Sequence, residues 1–181
     1  MLTIVVQGVE GWDEQKEEFV PASPPITLQL EHSLLSLSKW ESKWEKPFLS
    51  KKTKTVEETI DYIRCMTLNP SVAADVYQRL TPQNLRDVNA YIDAKRSATT
   101  IHEEQKGRRG SETVTSELIY YWMVALQIPF ECQKWHLNRL LTLIRVCNIK
   151  NQPPRKMGRR NTLKQNAALN VARRQRAHSK G

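Results

Sequence analysis

Few residues in this chain have the type and spacing to do chemistry, and each such set lacks a member. Cys132 and His136 lie four apart in a stretch with helical periodicity, which would put two metal ligands on one face. A structural zinc site needs four ligands, usually in paired clusters, and neither Cys65 nor Cys147 has that spacing. We read them as reduced core thiols and a partly buried histidine. His102-Glu103-Glu104 lacks the second histidine of a metalloprotease helix. His32-Ser33 lacks the glycines of a nucleophile elbow. The six glycines are scattered and form no phosphate-binding loop. Asp61, Asp75, Asp87 and Asp93 fall on polar helical faces, where solvated carboxylates are ordinary. The expectation is a non-enzymatic protein with no catalytic residues, no metal and no cofactor.

Two other sets suit binding. Leu37, Trp40 and Trp44 recur at three- and four-residue spacing, so both indoles share a helical face, flanked by Lys39, Glu41, Lys43 and Glu45. Tryptophan serves cores and interfaces alike, and both readings stay open for Trp40 and Trp44. Trp122 and Trp135 sit in apolar helical stretches and read as core. The second set is basic: Arg155-Lys156, Arg159-Arg160, and Arg173, Arg174 and Arg176. From Lys150 to Gly181 there are ten Lys or Arg residues and no Asp or Glu. The other 149 residues carry 18 basic and 19 acidic groups, so the net charge of +9 belongs to the tail. Such density can neutralise phosphates, but no aromatic lies there to stack on bases, so any nucleic-acid binding would be non-specific. The alternative is a solvated extension that aids solubility.

The elements that position these residues can be read from periodicity. Leu2 to Val6 and Ile26 to Leu30 read as strands that could pair, although a two-stranded ribbon needs helices packed on it. Between them lie a polar stretch and Pro21, Pro24 and Pro25, which are expected to fall outside regular elements. A helix runs from Ser33 to about Lys46 and stops at Pro47, before a basic loop reaching Lys54. Thr55-Val-Glu-Glu58 matches a capping box, opening a helix with Ile60, Ile63 and Met66 inside. A third helix is expected from Ser71 through Leu80, and Thr81-Pro82 starts a fourth with Leu85, Val88 and Ile92 inside. Residues 97 to 114 read as a flexible loop. Thr115 or Ser116 begins a helix that is apolar nearly all round, hence central or covered by a partner. The next runs from about Glu131 to Cys147, and a thinly apolar one from Asn161 to Ala177.

The fold class expected is mainly α: a bundle of about six helices, a short N-terminal β-ribbon and a basic, partly helical C-terminal tail. The organisation expected is 1–32 ribbon, 33–149 helical body and 150–181 extension. No run of eighteen apolar residues could span a membrane, and the start lacks a basic n-region and a cleavage site.

Six stretches carry a resemblance. Leu30-Glu-His-Ser-Leu-Leu-Ser-Leu-Ser-Lys-Trp-Glu-Ser-Lys-Trp-Glu-Lys-Pro-Phe48 resembles tailed-phage proteins identified as tail assembly chaperones. So do Ser116-Glu-Leu-Ile-Tyr-Tyr-Trp-Met123 and Trp135-His-Leu-Asn-Arg-Leu140. The ending is similar too, through Cys147-Asn-Ile-Lys-Asn151, Lys156-Met-Gly-Arg-Arg160 and Asn166-Ala-Ala-Leu-Asn170. The resemblance spans about residues 26 to 181. It implies a helical protein, in the host cytoplasm during assembly, that binds the tape-measure protein and keeps it soluble until tail-tube subunits polymerise around it. In some such families a longer form arises by translational frameshifting. Oligomers are compatible with either reading.

Three functions follow as expectations. The first is the assembly chaperone, with Leu37, Trp40, Trp44 and the tail arginines as its partner face. The second is a virion structural or connector protein. The third is a nucleic-acid-binding factor using the tail.

Overall fold

The computed structural model describes residues 1–13, 18–101, 113–152 and 159–177. The fold is mainly α, with seven α-helices among the described residues. The chain divides into two units, Met1–Asn148 and Ile149–Gly181.

The first unit begins with strand β1, Leu2–Val6, paired antiparallel with β4, Ile26–Leu30, over five residue pairs from Leu2–Leu30 to Val6–Ile26. Alternation puts Ile4, Val6, Leu28 and Leu30 inside. The ribbon is not left to itself. Helix α4, Pro82–Asp93, packs on β1, and Leu68 N–H donates to the Gln29 carbonyl while Glu31 N–H donates to that of Met66. Asn69 completes this edge: its Oδ1 accepts Gln29 N–H at 2.7 Å and its Nδ2 donates to Thr27 O at 3.2 Å. The expected partner helices are therefore present.

A second ribbon, β2 (Val9–Asp13) with β3 (Glu18–Ser23), occupies the stretch expected to be irregular. Pro21 stands inside β3, opposite Glu10 and beside a register shift at Val9/Glu10. Both strands of a two-stranded ribbon are edges, so a proline costs no ladder bond where its nitrogen faces outward. An edge strand beside a register shift can therefore hold Pro21, which the proline rule did not allow for.

Helix α1, Leu34–Trp44, starts at Ser33, whose side chain and that of Ser36 form a capping box, and ends at Glu45 in the left-handed region (φ 51°) before Pro47. Helix α2, Val56–Met66, has the expected Thr55–Glu58 capping box. Helix α3, Ala74–Gln78, is much shorter than expected. Ser71 cannot begin it, because its φ of 54° is left-handed, and Ala73 caps without a side chain. Thr81 caps α4 together with Asn84.

Helix α5, Ser116–Ala125, starts after Thr115 as expected. Helix α6, Leu137–Asn151, starts six residues later than the periodicity suggested. Phe130–Lys134 forms a 3-10 helix instead, Trp135 is extended (ψ 161°), and His136 bridges to Ser33. Cys132 and His136 thus do not share one helical face. Leu37, Tyr62, Met66, Val88, Ile119, Met123, Leu137, Leu140 and Ile144 join the strand residues in one buried cluster. The ribbon and helices up to residue 148 are one body.

The second unit contains α7, Arg159–Arg176, close to the expected helix. Residues 102–112 in the expected loop, including His102, lie outside the described residues, as do Arg155 and Lys156.

Candidate partner-binding surfaces

Helix α1 had been a candidate partner face, and its packing decides the matter. Leu37 is fully buried and Trp40 is 1% exposed. The Trp40 indole N–H donates to the Glu58 carbonyl of α2 at 2.9 Å, while its ring packs edge-on to Phe48 at 5.0 Å. Trp44, half-buried, donates to Asp61 Oδ2 at 2.9 Å and stacks on Trp40. Both indole N–H groups are therefore satisfied within the chain, by the neighbouring helix. Leu37 and Trp40 are core, and neither is available to a partner. This corrects the partner-face expectation for those two residues.

The flanking charges are also structural. Asp61 takes Lys43 at 2.5 Å and Glu58 takes Lys46 at 2.6 Å. The hydrogen bond from Lys46, then that from the Thr55 backbone, hold the Glu58 carboxyl below its ordinary range. Burial pushes Asp61 upward, but Lys43 and Trp44 outweigh it and leave the carboxyl low. Glu41 goes further. It is 6% exposed, its Oε1 accepts Phe48 N–H at 2.8 Å, and its Oε2 accepts Ser116 N–H at 2.6 Å. One carboxylate thus ties α1 to the loop after it and to the first turn of α5. Helix N-termini favour negative charge, so the placement is electrostatically sound.

A buried polar cluster lies at the β4–α1 junction. His32 Nδ1 is 2.6 Å from the Tyr62 hydroxyl, and the His32 and His136 rings meet at 5.2 Å. His136 Nε2 reaches the Tyr91 carbonyl at 3.0 Å while its Nδ1 accepts Asn138 N–H at 3.3 Å, which fits the neutral Nε2–H tautomer. The Tyr91 hydroxyl donates to Glu31 at 2.7 Å. Burial, with a smaller push from His136, holds His32 down to about 3. Burial likewise lowers His136 and raises both Tyr62 and Tyr91. Both imidazoles are nearly sealed from solvent and already bonded to the fold. The cluster is a neutral internal strut.

The cysteines are free, with Cys132 buried and Cys65 and Cys147 half-buried. Burial raises the thiols of Cys65 and Cys132, which disfavours the thiolate a metal or nucleophile needs.

Surface remains in three places. On α5, only Ser116, Ile119 and Met123 are buried, and Tyr121 (65%) and Val124 (62%) face outward with Phe130 (53%) beyond the helix. The apolar-all-round pattern thus hides two faces with different fates. The second place is a groove of about 710 Å³ with Leu49, Val114, Trp122, Leu141 and Ile144 as its apolar lining. Exposed Lys51, Lys52 and Arg145 border it, and no acidic residue lines it among the described residues. The basic loop was visible in the sequence; that it meets α5 and α6 was not. Trp122 and Trp135, expected in the core, are only half-buried against it. The third place is α7, described within the second unit alone. Arg173, Arg174 and Arg176 are exposed on it, as are Leu163, Leu169 and Val171, and Arg159 and Arg160 fall in its first turn.

Among the described residues no helix is long and apolar enough to cross a membrane. Comparison with protein families, with curated proteins and with solved structures gives no match for this chain.

Proposed function

We propose that this protein is a tail assembly chaperone of a tailed phage, which binds the tape-measure protein and keeps it soluble while the tail tube assembles. The observation that carries the reading is the exposed apolar surface on and beside α5: Tyr121, Val124 and Phe130, together with the groove at Trp122. Large exposed apolar patches mark sites of partner contact, and a helical client suits a groove between helices. The α5 stretch is also one of those that resemble the chaperone family. Fold alone does not assign function, so the test must be direct.

The protein should co-purify with the tape-measure protein from infected cells and be absent from finished particles. Mass spectrometry of purified virions decides between this and a structural role. Stoichiometric presence in the particle would replace the chaperone by a connector. The basic, exposed α7 favours a further reading as a non-specific nucleic-acid binder. That reading requires a gel shift that weakens steeply as salt rises.

A further inference from the structure

The groove lined by Trp122 and Leu141 has a charge pattern that says what should occupy it. Its lining holds five apolar side chains beside Ser50, Thr113 and Asn148, with Ile144 almost wholly buried and Leu49 more than a third exposed. Among the described residues its charges are positive: Lys51 and Lys52 from the loop before α2, and Arg145 from α6, all exposed. The body that bears it is nearly neutral overall, so this local excess is not a reflection of net charge. Among the described residues no carboxylate pairs with these cations. The salt bridges of this region use Lys43 and Lys46, and none is formed by Lys51, Lys52 or Arg145 among the described residues.

We propose that this groove docks an amphipathic helix whose apolar stripe is flanked by acidic residues. A volume of about 710 Å³ lies within the ~300–1,000 Å³ range of concave ligand sites, and holds a few anchoring side chains of one helix. Leucine-type anchors at i, i+3, i+4 and i+7 would enter the apolar lining, and carboxylates beside them would meet the three cations. A polynucleotide fits less well, because bases need stacking faces and Trp122 is the one aromatic among the described lining residues, beside four aliphatic ones. A second copy of the chain would have to bring an acidic apolar helix face. The exposed apolar residues of α7 come with arginines instead. The proposal rests on the chaperone reading only for the identity of the natural client; the groove's preference stands on its own charge and lining.

The test uses the full-length protein and synthetic peptides. One is an 18-residue helical peptide with Leu at i, i+3, i+4 and i+7 and Glu at the flanking positions. The other has Lys in place of each Glu. Fluorescence anisotropy should show binding of the Glu peptide, at least about tenfold weaker binding of the Lys peptide, and loss with added salt. Amide chemical-shift changes should centre on Leu49, Trp122 and Leu141. The double substitution Lys51→Glu and Lys52→Glu should weaken the Glu peptide about tenfold or more. Lys134→Glu, the same charge reversal at a single lysine of the 3-10 helix outside the groove, should leave it unchanged. All three lysines are exposed, so folding is preserved, and circular dichroism checks this.

Equal affinity for both peptides would overturn the proposal, as would an unaffected double variant. So would tighter binding of a 20-nucleotide single-stranded RNA with shifts at the same residues, or a dimer that buries the groove. Tape-measure protein still captured by the double variant would sink the groove and leave the chaperone reading standing. Peptide binding that behaves as described, without tape-measure capture by the wild type, would do the reverse.

Discussion

Glu41→Gln is the substitution that tests most of this architecture at once. Glu41 sits between the two tryptophans of α1, yet its carboxylate accepts one N–H from Phe48 and one from Ser116. Gln keeps the shape but offers one oxygen and one NH₂ group, so one of the two backbone donors faces another donor. A hydrogen bond to a charged group contributes about 1.5–3 kcal/mol, and one bond is lost. The remaining bond becomes neutral, and the charge at the α5 N-terminus, worth about 0.3–1 kcal/mol, disappears. The expected loss is about 2–4 kcal/mol. For a chain of this size that lowers Tm by roughly 5–15 °C. Glu41→Ala, which leaves both donors unpaired, should cost about 3–5 kcal/mol. Urea unfolding followed by circular dichroism measures both, and hydrogen exchange locates them. In Glu41→Gln the amides of Phe48 and Ser116 should lose protection before those of α2. A variant within about 0.5 kcal/mol of wild type would refute the strut, and so would unchanged exchange at those two amides.

Acid should weaken the fold in a window set by the histidines. His32 is held to about 3 against an ordinary value of 6.5, and His136 is lowered as well. Between these values the unfolded chain binds more protons than the folded one, so stability is full above about pH 6.5 and falls as pH drops. His32 alone predicts a loss of roughly 2 kcal/mol between about pH 7.5 and 5.2, above the range where Glu58 and Asp61 titrate. The groups facing this pair are Glu31, Tyr62, Tyr91, Arg96 and the Met1 amine, and His32→Asn, whose Oδ1 can accept from Tyr62, should flatten the profile. A denaturant midpoint that is the same at both pH values would contradict this. Gly8→Ala should destabilise by about 1–3 kcal/mol, because its Cβ would collide with the Ser23 carbonyl and press on Pro24 and Pro25. A thermal scan equal to wild type would show that the ribbons yield freely. Leu37→Ala should cost about 2–5 kcal/mol of stability, as a core deletion does, while leaving Glu-peptide affinity intact in the folded fraction. Weaker peptide binding without lost stability would return Leu37 to the surface.

What could be read from the residues was local. Thr55 with Glu58, Thr81 with Pro82, and Thr115 before an apolar run mark helix starts through bonds made within four residues, and all three stand. The alternation in β1 and β4 survived for the same reason, since each strand's buried face is written in its own period. Interactions between distant segments left no such trace. Glu41 and Glu45 look alike beside the tryptophans, yet one is buried against Ser116, 75 residues on, and the other is an exposed helix end. Trp40 and Trp44 were undecided because an indole N–H satisfied by Glu58 or Asp61 cannot be told from one awaiting a partner. The late start of α6 has the same origin: His136 is held extended by Ser33 against its helical periodicity. The groove was out of reach because its cations and its lining come from three separate stretches.

The β4–α1 junction also orders events during synthesis. Leu137 N–H donates to the His32 carbonyl and His136 bridges to Ser33, so a segment made early is completed by one more than a hundred residues later. At ribosomal rates of ~5–20 residues per second, that wait is roughly 5–20 s. Throughout it the α1–α2 hairpin can form, since its contacts are close in sequence, but the face of α1 destined for α5 and the 3-10 helix has nothing to cover it. The nascent chain is therefore at its stickiest when about three-quarters of it has been made. Pausing sites or slow codons placed before the α6 segment would lengthen that exposure and lower the yield of folded protein, whereas the same delay once α6 has left the ribosome would do little.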